Sequence, residues 1–211
     1  VTGTPLWVVA LIATIYGCLA YLATRAADAL YKDTEPPPDS PPLVARPPVT
    51  PLIVGAFAVG WAIVSRGAGP LSLLALAVTV VALCASYWTD LTRGIVADLF
   101  TLPALALLAG LGIARHDYSP LVAAVVVALP FAVAALVTKG RGVGWGDVKL
   151  IALGATVMGL ELALIVYAVA ALVACAIALA QGRRTERIAF APYLIAAIAA
   201  GMLVPVAPHL G

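Results

Sequence analysis

Apolar residues fall into eight stretches separated by short polar or proline- and glycine-rich breaks. They are Pro5–Thr24, Val49–Ser65, Pro70–Thr89, Ile95–Ala114, Ser119–Thr138, Val148–Leu160, Leu162–Gln181 and Ile188–Val206. A helix that crosses a bilayer needs about 20 mostly apolar residues, and most of these stretches approach that length. The sixth and seventh are interrupted only by "GLEL" at 159–162. Joined, Leu150–Gln181 would form a helix about 48 Å long at about 1.5 Å per residue, too long for a hydrocarbon core of about 30 Å. A short hairpin at Gly159–Glu161 is the better reading. The pattern therefore predicts an all-α, polytopic membrane protein of about eight transmembrane helices, forming one integral membrane domain over residues 1–211. Composition agrees: 64% of residues are hydrophobic and 10% charged, against about 25% charged in soluble domains.

The cations predict an orientation. With both termini outside, the outer loops hold Arg66 and Arg115, and the other ten of the twelve lysines and arginines lie at the inner surface. That is the positive-inside bias of a multi-pass protein of the cytoplasmic membrane. Merging spans six and seven would move the arginines at 183–187 to the wrong side. The longest inner loop, 25–48, contains "EPPPDSPP" and "ARPP". Proline at that density denies helix and sheet, so the loop reads as a semi-extended cytoplasmic linker. The first stretch lacks an AxA-like cleavage site at its end and reads as a span rather than a removable signal. No internal repeat is visible.

A net charge of +2 is too small to argue for a nucleic-acid partner. The three cysteines, Cys18, Cys84 and Cys175, lie inside apolar stretches with no CxxC pair. That pattern offers neither a zinc site nor a disulfide framework, and neither metal nor cofactor is expected.

Acids within or beside membrane spans are costly and are functional candidates. Four qualify: Asp90, Asp98, Asp147 and Glu161. Glu161 falls in the outer hairpin and reads as solvated. Asp98 falls in the first turn of the fourth span, where a carboxylate suits the helix dipole; a cap, or an ion pair with Arg93, explains it as well as catalysis does. Asp90 ends span three and Asp147 opens span six, both at the cytoplasmic surface. Gly144 and Gly146, just before Asp147, permit unusual backbone conformations and close approach of a substrate chain. Lys149, one step into the same helix, is placed to reinforce ionisation of Asp147 or to reach lipid headgroups. Two carboxylates brought together share one proton, so that one acts as acid and the other as base, as in aspartic proteases.

Those residues carry a family resemblance. "DLTRGIVADLFTLP" at 90–103 resembles the prepilin peptidase pattern of Asp, a variable stretch, Pro-Asp and a Leu-Thr-Leu-Pro-like run. "GWGDVKL" at 144–150 is similar to the same family's GxGD-Val-Lys motif, and "RIAFAPYLIAA" at 187–197 resembles its last cytoplasmic stretch. The resemblance implies active-site segments at 87–103 and 141–150 with Asp90 and Asp147 as the catalytic pair. It implies a membrane aspartic endopeptidase that removes a basic leader, after a glycine, from type IV prepilin or pseudopilin precursors. Its partners would be that precursor and the lipid bilayer.

This chain departs from the family at Ala97, where proline is usual, and at Ala189 and Ala191 in the third stretch. The loop after the first span is cysteine-free, whereas bifunctional members carry a paired-CxxC domain there that is linked to N-methylation. Methylation is not expected of this chain. Two other readings remain open at this point: an ion-coupled transporter using the two aspartates as relay groups, and a catalytically inactive homologue that scaffolds pilus assembly. The transporter reading is weakened because both acids sit at one surface and none marks the midplane, where transport sites lie.

Overall fold

The computed structural model describes residues 4–36, 43–139, 143–180 and 190–204. Among these the chain is all-helical, with no strand: α1 (Leu6–Tyr31), α2 (Thr50–Ser65), α3 (Pro70–Arg93), α4 (Asp98–Ala114), α5 (Ser119–Val137), α6 (Trp145–Met158), α7 (Leu160–Ala180) and α8 (Ala191–Leu203). Four of them, α1, α3, α5 and α7, are long and apolar enough to cross a membrane. Large apolar side chains point outward along them, for example Leu11 and Ile15 on α1, Val125 and Leu129 on α5, and Ile165 and Leu172 on α7. Such an exterior is stable against lipid tails and unfavourable against water.

The predicted break between spans six and seven is present. Gly159 closes α6 with φ 78°, a conformation that side-chain-bearing residues rarely adopt, and its N–H donates to the Ala155 carbonyl at 2.9 Å. Leu160 then starts α7.

Two helices, α1 and α3, run several residues past the C-terminal ends that the sequence pattern gives them. α1 runs seven residues past Thr24, into the stretch expected to be linker, because "RAADALY" is rich in good helix formers and has something to pack on. Ala27 is fully buried against Ala85 of α3 and Ala97, with Tyr31 and Trp88 closing the same cluster. α3 likewise runs past Thr89 to Arg93, so Asp90 lies inside a helix rather than beyond it.

α6 is the interior helix. It packs against α4, α5, α7 and α8, and Leu150, Ile151 and Leu153 are completely buried. At 14 residues it is about 21 Å long, short of a bilayer core, but its neighbours shield it from lipid. The Tyr167 hydroxyl of α7 donates to the Ile151 carbonyl at 2.9 Å, and the Tyr16 hydroxyl of α1 donates to Leu73 of α3 at 2.5 Å. At one end of the bundle the Arg66 guanidinium donates to the carbonyls of Met202, Leu203 and Val204, tying the end of α2 to the end of α8. At the other end the C-termini of α1 and α3 meet the N-termini of α4 and α6. The candidate carboxylates lie there.

Candidate active site

Asp90 occupies the last turn of α3. Gly94 ends the helix in the left-handed region at φ 67°, and its N–H donates to the Asp90 carbonyl at 2.9 Å. Glycine adopts that conformation without the Cβ penalty, which is why the chain turns there and starts α4 only four residues later. Asp90 is half-buried, with its Oδ2 atom sealed from solvent and without a hydrogen-bond partner among the described residues.

Asp147 is the third residue of α6. Its Oδ2 accepts the N–H of Gly144 at 3.2 Å, the reach-back of a helix-start carboxylate to the N-cap amide. Gly144 has φ −75° and ψ 149°, ordinary extended backbone, and Gly146 is helical. The expectation that these glycines supply unusual conformations is therefore corrected. Gly146 is required by proximity: a Cβ there would lie 2.5 Å from Cγ2 and 2.7 Å from Cβ of Val96. The start of α6 rests directly on the loop that joins α3 to α4. This contact, between the loop after one aspartate and the turn before the other, was invisible in the sequence.

The two carboxylates are carried by adjoining helix ends: the Val96–Gly146 contact brings the loop after Asp90 against the turn that holds Asp147. Few direct contacts join α3 to α6, and α4, which packs on both, sets their spacing. An acid pair half-enclosed by packed helices can hold one proton between its members and polarise a water or a carbonyl placed between them.

Asp98, the first residue of α4, does not pair with Arg93. Both of its oxygens accept the Lys149 ammonium, at 2.6 and 2.7 Å. Lys149 therefore turns away from Asp147, as expected for residues two apart on a helix, which do not share a face. Arg93 instead donates to the carbonyls of Lys32 and Thr34, just beyond α1. Asp28, placed in the linker by the sequence pattern, lies on α1 and accepts the Trp88 indole N–H at 3.3 Å. Glu161 opens α7 at the opposite end of α6 from Asp147 and takes no part in the cluster. An apolar cavity of about 270 Å³ between α2, α3 and α8 has Tyr87 on its wall but neither aspartate. Among the described residues no three His, Cys, Asp or Glu side chains group as a metal site would require. Arg141 and the arginines at 183–187 lie outside the described residues, as does the start of the 187–197 stretch.

A helical bundle with apolar outer faces and a carboxylate pair at adjoining helix ends defines the class: a membrane protein with the makings of an acid–base site. Residues 76–179, just under half of the chain, match the type IV leader peptidase family. The match implies a peptidase, and the matched segment contains both Asp90 and Asp147. Neither the curated proteins nor the solved structures gave a match.

Proposed function

We propose that the protein is an aspartic endopeptidase of the inner (cytoplasmic) membrane, cleaving the basic leader after a glycine from type IV prepilin-like precursors at the cytoplasmic surface. The observation that carries this reading is the meeting of the two helix ends that hold Asp90 and Asp147, through the Val96–Gly146 contact, in a segment that matches the leader peptidase family. An eight-span arrangement with both termini outside, which the distribution of lysines and arginines favours, would put that pair on the side where a basic leader is retained. An apolar helix following the cut would hold the precursor in the same membrane.

The geometry suggests a division of labour. Asp147 opens a helix and already accepts an amide hydrogen bond, so it is suited to carry the negative charge. Asp90, in the last turn of a helix, is suited to hold the shared proton. Asp147 takes a proton from water as the hydroxide forms its bond to the scissile carbonyl carbon, and Asp90 gives its proton to the carbonyl oxygen. Collapse of the tetrahedral intermediate breaks the C–N bond, and the departing amine takes a proton from the pair.

The test is cleavage of a purified precursor by Asp90→Asn and Asp147→Asn. Each should lose about 10²–10⁴-fold in rate while inserting and melting like the wild type. Wild-type cleavage by either variant would refute the assignment and favour a scaffolding role.

A further inference from the structure

Seven polar side chains are deeply buried among the described residues, and five of them are threonines. Each of those threonine hydroxyls donates to a helix carbonyl: Thr24 to Tyr21, Thr79 to Ala75, Thr89 to Ser86, Thr101 to Ala97 and Thr156 to Ala152. This is the ordinary way a hydroxyl is accommodated inside a helical bundle. Ser86 is the exception. It is completely buried, and its Oγ has no partner among the described residues. Among the described residues the only other buried side-chain oxygen in that condition is Oδ2 of Asp90.

The two orphans are four residues apart on α3, so they lie on one face of the helix with Cβ atoms about 5–6 Å apart. One is a hydroxyl with a proton to donate, and the other is a carboxyl oxygen able to accept it. Buried polar groups left unpaired are rare and costly, and here each supplies what the other lacks.

We infer that Ser86 is a positioning residue for Asp90. Its hydroxyl donates to Asp90 Oδ2, by side-chain rotation or through one bridging water, and so fixes the carboxyl plane with its other oxygen toward Asp147. The separation of the two Cβ atoms accommodates either form. This rests on the reading of Asp90 as one of the catalytic pair. Ser86 itself touches neither substrate nor reacting atoms in this scheme, and its effect passes through Asp90.

The experiment uses the full chain in detergent and a synthetic precursor peptide with a basic leader, a glycine and an apolar helix. Ser86→Ala should lower kcat about tenfold, the worth of one hydrogen bond to an acid in the transition state, with KM nearly unchanged. Ser86→Thr, which keeps the hydroxyl, should restore kcat. Thr79→Val removes another buried hydroxyl from the same helix and should leave kcat alone. In infrared difference spectra the protonated-carboxyl band that vanishes in Asp90→Asn should move to higher frequency in Ser86→Ala and stay in place in Thr79→Val. Should Ser86→Ala not fold, Ser86→Cys keeps the volume with a weaker donor and should show the same lowered kcat and raised band. Wild-type kcat with an unmoved band in either variant would overturn the inference, and so would an equal loss in Thr79→Val. Cleavage that survives Asp90→Asn overturns the peptidase assignment itself. An inactive Asp90→Asn beside a wild-type Ser86→Ala overturns only the role of Ser86.

Discussion

The Lys149 ammonium sits between both oxygens of Asp98, binding the interior of α6 to the first residue of α4. The pair lies beside the aspartates without joining them. Its side chains are 29% and 52% exposed, so solvent screens much of the attraction, and such pairs contribute about 0–1 kcal/mol. Asp98→Asn should therefore cost at most about 1 kcal/mol of stability and reduce cleavage far less than Asp90→Asn does. Reversing the pair, with Asp98→Lys and Lys149→Asp together, should recover part of what each single reversal loses. Thermal melting and cleavage rates on the four proteins of that cycle measure the coupling. A loss in Asp98→Asn as large as that in Asp90→Asn would make Asp98 a catalytic group.

Gly146 makes a steric prediction. Alanine there would press its Cβ into Val96, and the backbone must shift to relieve contacts of 2.5 and 2.7 Å. Overpacking of this kind costs about 1–3 kcal/mol, and the shift falls on the turn that carries Asp147. Gly146→Ala should lose cleavage out of proportion to its lowered melting temperature. Val96→Ala added to it should return most of the activity by opening the space. No recovery in the double variant would mean that Gly146 serves the substrate chain rather than the Val96 contact.

Product chemistry follows from the residues available. The sequence contains no paired CxxC motif and no histidine–cysteine cluster, so exhaustive chelation should leave the cleavage rate unchanged. Mass spectrometry of the mature product should show removal of the leader and no added methyl group. A methylated N-terminus made by this chain alone would overturn the second expectation.

Orientation is open to labelling. In a background without Cys18, Cys84 and Cys175, Gly69→Cys and Lys139→Cys should react with an impermeant maleimide from opposite faces of the membrane. Gly69 suits the purpose because a Cβ there meets nothing within 4 Å. Labelling of Gly69→Cys from outside and of Lys139→Cys only from inside is expected. Both from one side would break the eight-span topology.

The helices, the glycine break at 159 and the candidate pair were legible in the sequence because each depends on local chemistry. An apolar run of span length, a residue free to adopt positive φ and a carboxylate beside a membrane segment carry the same meaning whatever surrounds them. The ends of α1 and α3 were not legible. "RAADALY" and "DLTR" are polar enough to read as loop, and they stay helical because Ala27, Ala85 and Ala97 bury one another across three segments. The partner of Lys149, the reason for Gly146 and the isolation of Ser86 beside Asp90 belong to the same kind. Each depends on which side chain another element brings within a few ångströms, or fails to bring. Residues 51 positions apart, such as Asp98 and Lys149, meet only after α4 and α6 have packed. Local preference determined what each segment is, and packing between segments decided which of its side chains face one another.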